Sequence, residues 1–498
     1  MTAAHVFPLL YQVNTRPFLI DLGRRLGRTA TLDDIPDDII DGWKSSGFDW
    51  IWLLSVWQTG TASRDVSRTN AEWRAGFQKT LPDLTDDDIP GSGFAITAYT
   101  VHQSLGGNAA LARLRARLAK RGLKLMLDFV PNHMALDHPW VETHPEYFIA
   151  GTEALLKEQP KNYIRLKQRG EDRILAYGRD PYFPGWPDAL QLDYANPALQ
   201  TAMAAELLSI AKLCDGVRCD MAMLILPDVF ERTWGRRPQL FWPSAIQQVK
   251  AAVPGFILMA EVYWDLEWAL QQQGFDYTYD KRLYDRLRER NLDAIRGHLY
   301  ADMVFQKKLA RFLENHDEPR AAATFPPGQH EAAAVITFLT PGLRFLQDGQ
   351  FEGRKVHLSP HLGRAPEEPV DAKLKAFYAS LLDVLKRPLF RDGHWQLLNC
   401  APAWNGNWTD ACFIAYRWIA SNGDQALVVV NYSDHQSQCY VRLNDLVSTS
   451  QTWRLADLFS QETHIRKGSE LASVGLYIDA PPWKALLFWM EPSQEASR

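Results

Sequence analysis

At 498 residues the chain is longer than a usual single domain, which leaves room for one large domain and one or two smaller ones. Hydrophobic residues make up 46% and charged residues 23%, the balance of a folded protein that stays in water, which excludes a disordered or fibrous chain. A formal net charge of -5, from 54 basic and 59 acidic side chains, supplies no field to hold nucleic acid or an anionic membrane, so the expected partner is neutral.

Met1-Thr2-Ala3-Ala4-His5 has no basic segment followed by an apolar stretch, and no apolar run approaches the roughly 18 residues of a membrane span. The expected location is cytoplasmic. The five scattered cysteines, Cys214, Cys219, Cys400, Cys412 and Cys439, lack metal-ligand spacing and read as free thiols in a reducing compartment. Eighteen tryptophans suit either a large core or the apolar faces of sugars.

From Leu9 to about residue 350, short apolar runs alternate with helical patterns, the sign of βα units building a parallel sheet. Leu9–Val13 reads as a first strand, Ile35–Ser46 as a helix with Asp33 and Asp34 as capping candidates, and Trp50–Leu54 as a second strand. Asn108 can cap a helix whose Leu111, Leu114 and Leu118 share a face, which ends near Gly122 and leads into a buried strand over Leu123–Val130. Further strands are predicted at Gly216–Cys219, Phe256–Ala260, Tyr277–Tyr279, Leu309–Leu313 and Leu343–Leu346. These eight fit an α/β fold, a (β/α)8 TIM barrel, whose reacting residues stand at the carboxyl ends of its strands. The open doubly wound sheet is the alternative, but no Gly-rich phosphate turn follows the first strand.

Residues 60 to 95, rich in Gly, Ser, Thr, Asp and Pro with little periodicity, and residues 134 to 190 are long excursions expected to shape a cleft. Beyond about residue 390 alternating strands appear, such as Ala426–Tyr432, Cys439–Leu443 and Ala485–Trp489, with Ser421-Asn422-Gly423-Asp424 as a turn. The expected organisation is a catalytic barrel over 1–133 and 191–390, a loop-domain insertion after strand 3 over 134–190, and a C-terminal antiparallel β-sandwich over 391–498. Pro492–Arg498 is expected to fray.

Breaking a glycosidic bond takes two carboxyl groups across the anomeric carbon, one protonated to release the leaving oxygen and one ionised to attack or to activate water. In Gly216-Val217-Arg218-Cys219-Asp220, Arg and Asp two apart on a strand point to the same side, where a guanidinium can hold a nucleophilic carboxylate ionised and oriented. Phe256-Ile257-Leu258-Met259-Ala260-Glu261 ends an apolar strand in one Glu beside Val262, Tyr263 and Trp264, surroundings expected to raise its pKa as a general acid requires. Asn315-His316-Asp317 offers a donor and acceptor pair for two sugar hydroxyls and a third carboxylate. Singly, each has a structural reading as an ion pair, a helix cap or a local hydrogen bond.

Together with Asp128-Phe129-Val130-Pro131-Asn132-His133, these segments resemble, in order and spacing, the four signature regions of the α-amylase family, glycoside hydrolase family 13. The resemblance implies Asp220 as nucleophile, Glu261 as acid/base, Asp317 as transition-state stabiliser and Arg218 as the partner of Asp220. It also implies Asp128, His133 and His316 at the sugar site, and Tyr99 as the tyrosine stacked under the cleaved sugar, although Ala98 stands where an Asp is frequent. Trp186, Asp188, Trp264 and Trp268 are further candidate sugar contacts, with core packing as the competing reading. After Asp220 the chain reads Met221-Ala222-Met223-Leu224, where many endo-acting relatives have Lys-His at the last two positions, so short oligosaccharides or small α-glucosides are favoured over starch. No cofactor is expected. Asn132 occupies a position that ligates Ca2+ in many relatives, but no further oxygen cage is visible, and the metal question stays open. Transglycosylation or isomerisation by the same carboxylates, and a barrel that binds carbohydrate or a partner without turnover, are the rival readings. The oligomeric state is not legible.

Overall fold

The computed structural model describes residues 5–168, 171–444 and 447–493. Eight parallel strands form a closed barrel: β1 (Leu9–Val13), β2 (Trp50–Leu53), β3 (Lys124–Phe129), β4 (Gly216–Cys219), β5 (Ile257–Ala260), β6 (Tyr277–Tyr279), β7 (Leu309–Arg311) and β8 (Leu343–Gln347). They follow one another around the barrel in chain order. The bounds fall within about two residues of those read from the apolar runs. Strands buried on both faces carry no polar alternation, which is why runs such as Leu125-Met126-Leu127 mark them so plainly. The chain divides into two compact units, Leu10–Tyr279 with Val356–Glu367, and Met1–Leu9 with Asp280–Lys355 and Glu368–Arg498.

In the first unit, registers Arg218↔Asp128 and Cys219↔Ala260 set the carboxyl ends of β3, β4 and β5 level. Between Gly60 and Ala95 the structure holds two helices, Thr61–Thr69 and Ala71–Thr80, where the sequence shows little periodicity. The reason is chemical. The first helix turns Ser63 and Ser67 inward rather than leucines, with Ser63 Oγ donating to the Asp188 carbonyl at 2.7 Å and Ser67 Oγ 2.9 Å from His361 Nδ1. The second helix is capped by Asn70, whose side chain accepts from Trp73 N.

Two expected caps are corrected. Helix Asp37–Ser45 begins after Pro36, and Asp34 instead closes a 3-10 turn with Thr31. Asn108 lies inside helix Gly107–Lys120, and its Oδ1 accepts from Val101 N. Gly122, at φ +70, does stop that chain direction, since the left-handed turn favours glycine. The excursion after β3 pairs His133–Ala135 with Trp186–Gln191, followed by Glu171–Gly178 and Tyr163–Gln168, in one antiparallel sheet.

In the second unit, β7 and β8 pair in parallel, and the C-terminal part forms antiparallel sheets. The six-stranded sheet runs His394–Leu398, Phe413–Ile419, Gln425–Asn431, Ala485–Pro492, Thr452–Asp457, Thr463–Lys467, and a three-stranded sheet holds Cys400–Pro402, Ser437–Val441 and Leu476–Ala480. Alternate residues Phe413, Ala415, Leu427 and Val429 of the first meet Cys439, Val441 and Ile478 of the second in one core. The opposite face is buried as well, Trp418 Nε1 donating to Leu339 O at 2.8 Å and Tyr416 Oη to Val335 O at 3.0 Å. None of the five cysteines forms a disulfide. Among the described residues no helix is long and apolar enough to cross a membrane. The frayed end expected at Pro492–Arg498 lies, from residue 494 on, outside the described residues.

Candidate active site

Asp220 and Glu261 each follow the last residue of their strands, and the backbone ladder carries on past both: Asp220 N donates to Phe129 O, Glu261 N to Cys219 O, and Ala222 N to Glu261 O. The two side chains meet on one cation. Arg218 Nη1 donates to Asp220 Oδ1 at 2.5 Å, and Arg218 Nη2 lies 2.8 Å from Glu261 Oε2. All three residues are buried, so this charge pairing is little screened by solvent. Arg218 Nε reaches Tyr279 Oη at 3.3 Å, and the guanidinium lies 5.4 to 5.7 Å from the ring centroids of Trp52, Phe94 and Tyr279. Aromatic faces favour a cation that has left water, which lets an arginine persist here without exposure.

Glu261 is held by more than an apolar pocket. Met221 N donates to its Oε2 at 2.6 Å, and Tyr263 Oη sits 2.9 Å from its Oε1. Met221 adopts φ +41, a left-handed conformation that costs a non-glycine residue about 1–2 kcal/mol and here turns its N–H onto Glu261. Besides its apolar neighbours, Glu261 thus has the Met221 amide, the Tyr263 hydroxyl and the Arg218 guanidinium against its carboxyl. The next residues, Ala222–Ile225, form a buried 3-10 turn, so Met223 and Leu224 offer no charge after Asp220.

Asp128 is buried with both oxygens engaged, accepting from Trp52 Nε1 at 3.1 Å and Ser55 N at 2.8 Å. Burial, opposed by the charge of Arg218, pushes its carboxyl up to about 7. Two protein donors thus hold it on β3, in register with Arg218 of β4. Tyr99 is likewise locked: its hydroxyl donates to Val130 O at 2.9 Å and accepts from Val130 N at 3.0 Å, and its ring packs edge-on to Trp57. His133 is buried, has an Nδ1 with no hydrogen-bond partner, and is held below its usual pKa by burial against the opposing charge of Asp220. An unpartnered buried nitrogen of this kind suits a sugar hydroxyl. Its ring is 5.1 Å from that of the half-buried Trp186. Trp264, at φ +65, packs edge-on to the exposed Tyr182, and Trp268 is exposed.

In the second unit, Asn315 is buried and its Oδ1 accepts from the backbone N–H of Asp317 and Glu318, forming the turn that presents them. His316 Nε2 lies 3.2 Å from Asp317 Oδ2, with His316 buried and Asp317 partly exposed. The structure thus joins Arg218, Asp220 and Glu261 directly and surrounds them with Asp128, Tyr99 and His133. Tyr263, Tyr279 and the Met221 amide escape a motif reading, since their parts depend on hydroxyl reach and on backbone conformation. Only the position of Tyr279 at the end of a strand hints at it.

Asn132 forms a closed pair with Gln191, accepting from Nε2 at 3.0 Å and donating to Oε1 at 3.3 Å. Among the described residues no group of three or more His, Cys, Asp or Glu gathers as metal ligands. The Asn132 side-chain oxygen is thus engaged by Gln191 Nε2.

The described site is a closed parallel barrel with two buried carboxylates sharing an arginine at its strand ends, the arrangement of a barrel enzyme, and comparison with known proteins gives the family. The family model described as alpha amylase, catalytic domain, matches residues 44–357, and the chain belongs to the α-amylase family. Alpha-amylase MalA of Haloarcula japonica is 26% identical over 283 residues, 55% of this chain and 38% of that protein. Alpha-amylase 3 of Dictyoglomus thermophilum is 23% identical over 373 residues, 70% of this chain and 65% of that protein. The aligned chain thus spans less than two thirds of either relative. The crystal structure of a noncanonic maltogenic alpha-amylase AmyB from Thermotoga neapolitana superposes with a TM-score of 0.68 at 18% identity, covering 97% of this chain and 98% of that one, a likeness of fold.

Proposed function

We propose that the chain is a retaining glycosidase acting on the α-glucosidic bonds of short oligosaccharides or small α-glucosides, with Asp220 as nucleophile and Glu261 as acid/base. The observation that carries this is Arg218, whose two outer nitrogens contact one carboxylate each. Arg218 orients Asp220 and balances its charge while leaving Asp220 Oδ2 for the anomeric carbon. On Glu261, Oε2 faces the amide of Met221 and Arg218, both pure donors, whereas Oε1 faces a hydroxyl that can turn and accept. The transferable proton therefore belongs on Oε1.

In the first step Glu261 protonates the glycosidic oxygen as Asp220 attacks, giving a β-linked glycosyl-enzyme and releasing the leaving sugar. In the second, Glu261 takes a proton from water, which attacks the anomeric carbon, frees Asp220 and yields the α product. A sugar hydroxyl entering in place of water gives transglycosylation by the same steps. On the family motif Asp317 is the third carboxylate, balancing charge that develops on the sugar. The buried Met223 and Leu224 support short substrates, because no charged side chain at those positions steers a long leaving chain.

The test is a panel of maltooligosaccharides, sucrose, trehalose and starch, with the first-formed product anomer read by NMR. The expected result is the α anomer from a short substrate at the highest kcat/KM. A β anomer overturns retention, and starch as best substrate overturns the specificity.

A further inference from the structure

A cavity of about 600 Å³ in the first unit includes none of the catalytic cluster in its walls. One wall is a face of helix Thr15–Leu26, from Arg16 through Leu19 to Gly23, and another is the Arg64 and Arg68 face of helix Thr61–Thr69, the two arginines one turn apart. Gly23 and Gly91 permit the close packing that shapes it: a Cβ on Gly23 would stand 2.7 Å from Arg28 O, and one on Gly91, at φ +91, 2.9 Å from Arg64 Cα.

The charge of this cavity is unbalanced. The carboxylates nearby are mostly spent: Asp86 on Arg74 at 2.8 Å, Asp88 on Arg364 at 2.6 Å, Asp34 on Arg28 at 2.5 Å, which leaves Asp87 in the wall. Arg16 reaches neutral acceptors, Gly91 O at 2.7 Å and Thr59 Oγ1 at 3.3 Å, and Arg68 Nε reaches Ile89 O at 3.1 Å. Among the described residues neither has a carboxylate within 4 Å. Arg64 has Asp65 at 3.8 Å, and its buried Nε makes no hydrogen bond. In the same wall Arg24 is paired with Asp21 at 3.5 Å, so Arg16 and Arg68, with the weakly paired Arg64, face Asp87. Burial draws Arg16 down to about 10, and His102 and His361 are held low first by burial and then by the charge of Arg16. A cation held out of water without a carboxylate partner, as Arg16 is, is costly, and an anion relieves that cost.

We propose that this cavity binds the phosphate group of a small phosphorylated molecule, with Arg16, Arg64 and Arg68 as its anchors. Guanidinium forks match phosphate oxygens in pairs, and a phosphate monoester near neutral pH carries close to two negative charges to set against Arg16, Arg68 and the weakly paired Arg64. The volume is that of a small-molecule site, and Leu19, Ile20, Ala30, Pro90 and Leu105 supply apolar wall for an organic body.

Calorimetric titration of the full chain with glucose 6-phosphate and with inorganic phosphate tests this, in the wild type and in Asp220→Asn, Arg68→Gln and Arg16→Gln. The expected result is saturable 1:1 binding of at least one probe, retained in Asp220→Asn and weakened about tenfold or more in Arg68→Gln, which loses a charge-assisted contact. Tighter binding of the ester assigns the site to organic phosphates, and binding of inorganic phosphate as tight or tighter assigns it to the free ion. Arg68→Gln carries the test if the more buried Arg16→Gln does not fold, with an unchanged Tm as its control. No saturable binding of either probe, undiminished affinity in Arg68→Gln, or loss of binding in Asp220→Asn overturns the proposal.

Discussion

Arg218 and Glu261 are joined across neighbouring strands by a contact of 2.8 Å, while the same guanidinium holds Asp220 at 2.5 Å. The register Cys219↔Ala260 makes this possible by ending the two strands level, so one side chain two residues before Asp220 spans both carboxylates. A lysine cannot copy that fork, being a single point charge. We expect Arg218→Lys to fold but to lose about 10²–10³-fold in kcat/KM, comparable to removing a main charge-stabilising donor. Steady-state kinetics on the best substrate checks this, and a loss under about threefold would contradict a shared role.

Tyr263 donates its hydroxyl to Glu261 Oε1 at 2.9 Å. Tyr263→Phe keeps the ring and removes the contact. The expected outcome is a fall of about tenfold in kcat with KM nearly unchanged, since one hydrogen bond to a reacting group is worth about 1.5 kcal/mol and binding does not use it. An equal rise in KM instead would assign Tyr263 to substrate binding.

Asp188 is buried, and burial pushes its carboxyl up to about 7. The unfolded chain ionises this group near pH 4 while the folded chain keeps its proton to about 7, so its contribution to stability is full below pH 4 and falls as pH rises between those values. Asp188→Asn removes that slope. Its Tm is expected to exceed the wild type's by roughly 2–4 °C at pH 8 relative to the difference at pH 4. Thermal unfolding at the two pH values checks it.

Asn132 is closed onto Gln191 by two hydrogen bonds. A metal bound only to the folded state would raise Tm by mass action, so its removal would lower Tm. Dialysis against EDTA is therefore expected to leave Tm and kcat/KM unchanged, and a drop of several degrees restored by calcium would contradict this.

The barrel strands were legible because burial on both faces writes itself as uninterrupted apolar runs, and the cluster of Arg218, Asp220 and Glu261 was legible because polar residues closing apolar strands of one barrel meet at one rim. Helix Thr61–Thr69 was not, since serines bonded to Asp188 O and His361 fill its inner face in place of an apolar stripe. The contact between Met221 N and Glu261 depends on a left-handed turn at a non-glycine residue, which no local pattern announces. The caps expected at Asp34 and Asn108 failed because both side chains have partners elsewhere, the Thr31 turn and Val101 N. The arginine cavity is assembled from residues 16, 64 and 68, whose shared wall exists only in three dimensions.

The central claim is that the Asp220 carboxylate forms the bond to sugar carbon. Incubating the chain with 5-fluoro-α-glucosyl fluoride, which forms a glycosyl-enzyme faster than it is hydrolysed, and sequencing the labelled peptide by mass spectrometry tests it most directly. One fluoroglucosyl group per chain on Asp220, absent from Asp220→Asn, is the predicted result. A label on Glu261 or another residue, or slow turnover of the reagent with no covalent adduct, would contradict the account.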